Sequence, residues 1–221
     1  MLKEIDFIGL IHKSTKRDYL SRVNESPKAQ VAEIAKRWDY DYWDGDRTTG
    51  YGGMNYDGRW KKVAQAMADH YQLKAGDKIL DVGCGKGFLL HDFSLVVPGI
   101  EVYGLDISGY AIENAKEEVR GNIQQGHAKQ LPFEDNSFDL VLSINTLHNL
   151  YCYELFDALQ EIERVSKKDK YVCVESYRNE QEKVNLLYWQ LTCECFFTPE
   201  EWAFWFHKTG YKGDYGFIYF E

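Results

Sequence analysis

The sequence lacks a long apolar run and the pattern of a leader peptide. No stretch of its 221 residues has enough consecutive apolar residues to cross a bilayer. Lys3, Glu4 and Asp6 place both signs of charge at the start, which is not how a signal peptide begins. Because 44% of the residues are hydrophobic, the chain should still bury a core. We therefore expect a globular cytoplasmic protein without membrane attachment.

Cysteine and positive charge are also scarce. The five cysteines are an odd number without paired spacing, which predicts reduced thiols. Cys193 and Cys195 have no second pair or histidine cluster beside them, so we expect no metal site. The 35 acidic residues outnumber the 26 basic ones, and the net charge is −9. This balance argues against a broad surface for nucleic-acid phosphates, so no nucleic-acid partner is expected.

The stretch 79–90, ILDVGCGKGFLL, organises the chain. An apolar run leads into three glycines and then into a helical apolar pattern, which predicts a strand, a tight turn and a helix start. Such a turn offers bare backbone N–H groups to a polar ligand. The glycines at 83, 85 and 87 do not fit the G-x-G-x-x-G spacing of dinucleotide sites, and no Gly-Lys-Ser/Thr follows as in a P-loop.

Two later segments support a nucleoside-like ligand at the same sheet edge. The run 101–108 predicts a second strand ending in Asp106, about 20 residues beyond Gly87, where a carboxylate can accept from both hydroxyls of a ribose. The run 126–139, GHAKQLPFEDNSFD, lies after a short third strand and leads into a fourth.

These motifs resemble those of a known enzyme family. The pattern D-x-G-x-G-x-G after a strand resembles the first motif of Rossmann-like, class I S-adenosylmethionine-dependent methyltransferases. The run 126–139 resembles the G-D-A-x-x-L-P-F-x-D-x-S-F-D segment of methyltransferases of quinone biosynthesis, with His127 where that group has Asp. The flanks 174–180 and 187–196 resemble, more loosely, a bacterial group tied to surface-polysaccharide decoration.

The resemblance implies S-adenosylmethionine as cofactor and S-adenosylhomocysteine as product. It implies that the glycine loop surrounds the methionine part, that Asp81 holds the amino group, and that the start of the 126–139 run meets adenine. The cofactor-binding residues expected on this basis are Asp81, Gly83, Cys84, Gly85, Gly87, Asp106, Ile107, His127, Ala128, Asn145 and Tyr51.

The alternation of strand and helix patterns predicts the fold. We expect an α/β, Rossmann-like, mostly parallel sheet with helices on both faces. The chain should be one domain, 1–221, with an N-terminal arm and lid at 1–60, a cofactor-binding core at 61–176, and a second lid, last helix and terminal strand at 177–221. Relatives usually have two strands after the last helix, and only one fits here. Either the final antiparallel strand is missing or the N-terminal arm replaces it.

Two segments outside the core are expected to close over the ligands. The segment 38–60, called the N-terminal lid below, combines glycines with large rings, which bury well. The segment 177–197 forms the second lid. Arg47, Arg59, Arg178 and the basic cluster at 12–17 are predicted to bind an anionic acceptor, because guanidinium groups bind carboxylate or phosphate at two points. The alternative is that these arginines are solvated or salt-bridged at the surface.

Catalysis of methyl transfer requires mainly positioning, with a base only where the nucleophile must lose a proton. His148, after the fourth strand, is the first candidate base because histidine titrates near neutrality. Glu175, at the tip of the fifth strand, is the second.

The sequence thus predicts O- or N-methylation of a small anionic acceptor, in surface-polysaccharide or nucleotide-linked metabolite modification, by a monomer or homodimer. A non-catalytic cofactor-binding subunit, a protein or RNA methyltransferase and an aminopropyl transferase remain alternatives. The glycine spacing disfavours a nicotinamide dehydrogenase.

Overall fold

The computed structural model describes residues 2–12, 17–24 and 26–221, and its centre is one parallel β-sheet. Residues 13–16 of the predicted basic cluster lie outside the described residues. The strands are β1 (Lys78–Val82), β2 (Glu101–Asp106), β3 (Ile123–Gln125), β4 (Phe138–Ile144), β5 (Ser166–Glu175) and β6 (Asp214–Ile218). Their order is β3-β2-β1-β4-β5-β6, and every neighbouring pair is parallel. All carboxyl ends therefore meet at one edge of the sheet.

Helices cover the sheet and its carboxyl edge. Among the described residues, no helix combines the length and apolarity needed to cross a membrane. The helices are α1 (Gly9–His12), α2 (Tyr19–Asn24), α3 (Lys28–Ala35), α4 (Tyr40–Trp43), α5 (Lys61–Tyr71), α6 (Phe88–Val96), α7 (Gly109–Glu113), α8 (Glu117–Arg120), α9 (Cys152–Val165), α10 (Glu180–Trp189) and α11 (Pro199–Thr209), with a 3₁₀ turn at Leu147–Asn149.

Alternate residues of the central strands enter two separate cores. Ile79 and Leu140 belong to the core shared with α5 and α6, whereas Leu80 and Val141 belong to the core shared with α9 and α11. Because both faces are covered, the central strands are apolar throughout, as is usual for parallel sheets. The predicted Rossmann-like α/β fold, with helices on both faces, is confirmed.

The single helix predicted over 108–119 is two short helices, α7 and α8. Between them the N–H of Lys116 donates to the carbonyl of Lys86 at 3.0 Å. That backbone group is therefore bound to the glycine loop and is not available to a continuous helix. This hydrogen bond connects the region after β2 to the loop after β1.

The N-terminal arm lies against the last strand of the sheet. The N–H of Ile5 donates to the carbonyl of Tyr215 at 2.7 Å, and the N–H of Tyr215 donates to the carbonyl of Lys3 at 3.0 Å. The bridge between Glu4 and Tyr215 is parallel. No strand follows β6 in the described part of the chain. The arm adds one isolated parallel bridge to β6 and does not form an antiparallel strand.

The last helix begins with a complete capping box. The hydroxyl of Thr198 accepts from the N–H of Glu201 at 3.2 Å, and the carboxylate of Glu201 accepts from the N–H of Thr198 at 2.7 Å. Pro199 occupies the first helical position, where no N–H is needed. The helix holds Trp202 in the core, and the Trp202 indole donates to the carbonyl of Glu175 at 3.0 Å.

Removing the cap should therefore weaken the whole domain. Thr198→Ala leaves the N–H of Glu201 without its partner, and we expect the free energy of unfolding to fall by about 1 kcal/mol. Urea denaturation measures this as a lower midpoint with an unchanged slope. Thr198→Ser keeps the hydroxyl and should stay close to the wild type, and an equal loss in both variants would contradict the capping role.

Candidate functional site

A cavity of about 850 Å³ opens at the carboxyl edge of the sheet, beneath the N-terminal lid. Thirteen residues predicted from the sequence to bind ligand or take part in catalysis line it, although they come from the N-terminal lid and from the ends of five strands. They are Arg47, Tyr51, Arg59, Asp81, Gly83, Cys84, Gly85, Asp106, Ile107, His127, Ala128, Asn145 and Glu175. The structure does not bring Gly87, His148 or Arg178 to the lining.

The glycine loop has a backbone conformation and close packing that leave no room for side chains at positions 83 and 85. Gly83 and Gly85 have φ values of +85° and +53°, in the region that favours glycine. A Cβ on Gly83 would come within 2.1 Å of the hydroxyl of Thr146, and one on Gly85 within 2.8 Å of the Trp43 ring. The loop is therefore closely packed on both sides, and its shape depends on these two glycines.

Two buried carboxyl groups lie beside the glycine loop. Asp106 accepts from the N–H of Gly85 at 2.7 Å and from that of Ser108 at 2.8 Å. Burial raises the pKa of Asp106, and these backbone donors only partly offset that effect. Burial, together with the charge of Asp106, raises the pKa of Asp81 to about 8. Asp81 is therefore poised to become charged when a cation binds beside it.

The predicted adenine end carries a histidine with a defined hydrogen-bonding role. His127 Nδ1 accepts from the N–H of Lys129 at 3.2 Å, so the proton of the neutral ring belongs on Nε2. Nε2 lies 3.7 Å from Glu154, which also pairs with Lys129 at 2.7 Å. His127 thus presents a donor, where the acid of related sequences would accept. Ile107, 47% exposed, adds apolar surface to this end of the cavity.

The tip of β4 presents an unsatisfied amide to the cavity. Asn145 has a φ of +59°, which is uncommon for a residue with a side chain. Its Oδ1 atom is buried and has no hydrogen-bond partner among the described residues. Buried polar atoms of this kind are costly unless a ligand or water satisfies them. Tyr51 of the lid lies close to the Asn145 side chain, and its ring stacks on Trp43 at 5.6 Å between centroids.

Glu175 and His148 form a buried pair at the tip of β5. His148 Nδ1 accepts from the N–H of Glu175 at 3.3 Å, and its Nε2 lies 3.4 Å from Glu175 Oε2. Burial lowers the pKa of His148 to about 3 and raises that of Glu175 to about 8. Gln190 donates to Oε1 of Glu175, whereas Oε2 is buried without a hydrogen-bond partner in the described structure. Of the two predicted bases, only Glu175 lines the cavity.

Several polar contacts fasten the N-terminal lid to the core, and two of them lie beside the glycine loop. The ammonium of Lys86 lies 2.7 Å from both carboxylate oxygens of Asp44, and Tyr110 donates to the same carboxylate at 2.8 Å. Partial burial opposes ionisation, but these donors hold the pKa of Asp44 below its usual range. The indole of Trp43 donates to the hydroxyl of Ser108 at 2.9 Å. Both contacts hold the lid over the glycine loop.

The predicted arginines have different surroundings. Arg47 lines the cavity, and Arg59 also lines it but pairs with Asp57 in its own loop and is 63% exposed. Arg178 pairs with Glu182 and Glu221 and lies 4.1 Å from the Tyr219 ring centroid, away from the cavity.

Sequence reasoning missed two polar residues of the lining, Arg22 and Gln190. Arg22 lies in a short helix with no motif around it, and Gln190 follows the last residue of α10. Two further lining residues lie in segments that the sequence did single out. Arg17 ends the predicted basic cluster, and Trp189 is one of the large rings of the second lid.

The cysteines show no sign of a metal site. All five are free thiols. Cys193 and Cys195 are buried and donate to carbonyl groups, Cys195 to that of Leu150 at 3.1 Å. No group of three or more His, Cys, Asp or Glu side chains in the described ranges is arranged to hold a metal ion.

Gly87, which the sequence predicted to bind the cofactor, is the residue just before α6. Its φ is +69°, and it packs against Val119 and Ile123.

Comparison with protein families identifies one match that covers most of the chain. A family model described as "Methyltransferase domain" matches residues 73–214. A demethylmenaquinone methyltransferase of Symbiobacterium thermophilum is 34% identical over 128 residues, which are 54% of this chain and 50% of the relative. A demethylmenaquinone methyltransferase of Lactococcus lactis is 36% identical over 166 residues, 71% of this chain and 61% of the relative. The chain thus spans between 50% and 61% of these two relatives.

Solved structures share the same architecture. The YcgJ protein of Bacillus subtilis matches with a TM-score of 0.54 and 26% identity, over 66% of each chain. A chain of the complex between the Haloferax volcanii Trm112 methyltransferase activator and a methyltransferase matches with a TM-score of 0.54 and 25% identity, over 68% of this chain and 72% of that one. Both matches cover about two thirds of the present chain.

The raised pKa of Asp81 predicts that cofactor binding releases a proton. In the free protein the group is largely neutral below pH 8. A bound ammonium favours the charged carboxylate and lowers its pKa, so S-adenosylhomocysteine should bind more tightly as pH rises from about 6 to 8, by up to about tenfold per pH unit. Calorimetry in buffers of different ionisation enthalpy measures the released protons.

The matched variants are Asp81→Asn and Asp69→Asn, the latter on the exposed side of α5. Asp81→Asn should abolish the proton release, and Asp69→Asn should leave it unchanged. Proton release of the same size in Asp81→Asn would show that another group is responsible.

Proposed function

The chain belongs to the class I S-adenosylmethionine-dependent methyltransferase family, and on this premise we propose that it transfers a methyl group from that cofactor to a small anionic molecule. The observation that carries the proposal is one cavity shared by two sets of groups. The glycine loop, Asp81 and Asp106 line one part of it, and Glu175 with Arg17, Arg22 and Arg47 line another. This arrangement suits two ligands held next to each other.

The residues present fit S-adenosylmethionine. The buried Asp81 carboxyl suits the ammonium of its methionine part, and the unpartnered Asn145 Oδ1 is an acceptor at the tip of β4. Asp106 is already bonded to two N–H groups, but each carboxylate oxygen has a second lone pair for a ribose hydroxyl. His127 offers an Nε2 donor to a ring nitrogen, and Ala128 lies beside it.

The cofactor supplies a methyl group made electrophilic by a positively charged sulfur. The protein's part is to hold the acceptor in line and keep water out, which the two lids and the Asp44–Lys86 contact favour. A hydroxyl acceptor must also lose a proton. Glu175 Oε2 is the group we propose to take that proton, because it is buried, accepts no hydrogen bond from the described residues and belongs to a residue of the cavity lining.

His148 has a supporting role in this proposal. Its neutral ring accepts the backbone N–H of Glu175 and keeps Nε2 beside the Glu175 carboxyl. With a pKa near 3, it does not titrate in the working range. His148 therefore positions Glu175, and the reacting proton moves to the carboxylate.

An anionic acceptor is favoured over a quinone. The curated relatives are named for demethylmenaquinone, whose quinone ring carries no negative charge. Guanidinium groups in the present cavity would leave such a ring beside uncompensated positive charge. The names of these relatives and solved structures do not mention surface polysaccharide, so we do not include its modification in the proposed function.

The direct test combines binding with turnover. Calorimetry should show one S-adenosylhomocysteine bound per chain, and no binding at millimolar ligand would refute the proposal. The chain is then incubated with methyl-labelled S-adenosylmethionine and, in separate reactions, with small carboxylates, phosphate esters, a demethylmenaquinone analogue, a protein extract and total RNA. We expect label in an acidic compound. Label only in protein or RNA, or binding without turnover, would instead favour the macromolecular acceptor or the non-catalytic subunit.

Loss of the Glu175 carboxylate should abolish most catalysis on a hydroxyl acceptor. Glu175→Gln removes the proton acceptor, and we expect kcat to fall by about 10²- to 10⁴-fold. In the wild type, kcat/KM should rise with pH and level off above about 8, because burial raises the pKa of Glu175 and only the ionised form accepts a proton.

The control is Glu113→Gln, an exposed glutamate of α7, which should keep the wild-type rate. His148→Ala should keep a pH limb, since the titrating group remains. Wild-type kcat in Glu175→Gln would exclude proton transfer to this carboxylate.

A further inference from the structure

Three arginine side chains meet over one indole ring in the cavity. The Cζ atoms of Arg17, Arg22 and Arg47 lie 5.3, 5.3 and 5.4 Å from the centre of a ring of Trp189. They come from the stretch before α2, from α2 and from the N-terminal lid, and Trp189 ends α10. These three arginines are called the guanidinium cluster below. Like charges so close together repel one another, so the cluster is costly unless an anion joins it.

The guanidinium cluster has no ionic partner in the described part of the chain. No carboxylate there lies within 4.0 Å of its nitrogen atoms. Arg17 donates to the neutral ring of His12 at 2.6 Å, Arg47 to the carbonyl of Gly50 at 2.7 Å, and Arg22 to the carbonyl of Arg47. The Nε atoms of Arg17 and Arg22 are buried and have no hydrogen-bond partner among residues 2–12, 17–24 and 26–221. The cluster therefore keeps unused donors.

Three other arginines do have carboxylate partners. Arg59 pairs with Asp57, Arg164 is bonded to Glu161 and Asp135, and Arg178 to Glu182. In contrast, burial lowers the pKa of both Arg17 and Arg22, and the charge of Arg47 lowers each further. The cluster thus holds three positive charges that are partly removed from water, and no described carboxylate forms an ion pair with them.

The cluster adjoins the carboxyl group assigned to proton transfer. Gln190, the residue after Trp189, donates to Oε1 of Glu175. The charge of Arg17 also acts on Glu175 and lowers its pKa, in opposition to burial. An anion held over Trp189 would therefore lie near the Glu175 carboxyl group.

We propose that Arg17, Arg22 and Arg47 form, over the Trp189 ring, a subsite for a doubly charged oxyanion of the methyl acceptor. A phosphate monoester or a pair of neighbouring carboxylates offers enough oxygen atoms and charge for three guanidinium forks. Because the subsite adjoins Glu175, the methylated atom lies only a few bonds from the anion, and the acceptor is compact. This inference rests on the proposed function and narrows its substrate class.

The anion also connects separate parts of the chain. Arg47 belongs to the N-terminal lid, whereas Arg22 and Trp189 belong to α2 and α10. A ligand that all three arginines contact would draw the lid toward the second lid. The acceptor therefore contributes to its own enclosure.

The probes that test the subsite are inorganic phosphate, malonate and acetate, titrated into the protein saturated with S-adenosylhomocysteine. Calorimetry should show one site for phosphate and for malonate, with Kd values about tenfold or more below that for acetate. Added salt should weaken binding of the dianions, as expected for partly exposed charges. Equal affinity for acetate, or no binding of either dianion, would overturn the assignment.

Variants tie the binding to the guanidinium cluster. Arg22→Gln should weaken dianion binding by about tenfold or more. Arg37→Gln, at an exposed arginine just beyond α3, is the matched control and should bind as the wild type does. Arg47→Gln, at an exposed residue of the lid, gives a second test if Arg22→Gln does not fold. Unchanged dianion affinity in a folded cluster variant would overturn the proposal.

A competition measurement separates this subsite from the cofactor site. The Kd of S-adenosylhomocysteine should stay within about twofold in Arg22→Gln and in saturating phosphate, because no contact with the cofactor is lost. Competition between phosphate and S-adenosylhomocysteine would assign the guanidinium cluster to the cofactor and overturn the proposal. Failure of S-adenosylhomocysteine to bind at all, with phosphate still bound, would refute the proposed function and leave an anion site.

Discussion

The site depends on the hydrogen bond from the Gly85 amide to Asp106, at 2.7 Å. It joins the loop after β1 to the end of β2, two strands that are parallel neighbours. The same carboxylate accepts from the N–H of Ser108, whose hydroxyl caps α7 by accepting from the N–H of Ala111. The lid is connected there as well, since Trp43 donates to that hydroxyl. One buried acid thus organises two loops, a helix start and the lid.

Burial of acids is the second principle of the site. Asp81 and Glu175 both have pKa values raised to about 8, chiefly because they are removed from water. Each carboxyl group can be neutral near pH 7 when no cation lies beside it. Each becomes ionised when a positively charged partner binds or when the pH rises. In the proposed function, burial therefore prepares Asp81 to bind a cation and Glu175 to accept a proton. His148, buried beside Glu175, stays neutral for the same reason.

The glycine loop and the guanidinium cluster come from different parts of the chain. The glycine loop, Asp106 and Ala128 lie within residues 73–214, the part that matches the methyltransferase family model. Arg17, Arg22 and the N-terminal lid lie before it. A fold shared with many proteins thus supplies the cofactor side, while the segment preceding it supplies most of the charge proposed to select the acceptor.

The sequence by itself determined the fold class and the cofactor edge, whereas only the tertiary structure decided which charged side chains meet. The signals for both are local: glycines at 83, 85 and 87, acids at strand ends, and the apolar spacings of strands and helices. They can be read from the sequence because backbone conformation and strand direction follow from neighbouring residues. Arg59 and Arg178 were equally plausible ligands in the sequence, yet one pairs with Asp57 and the other with Glu182. Arg22 had no motif at all and joins the cavity lining. A long, flexible side chain takes its partner from whatever segments pack around it, and that packing is a property of the whole fold.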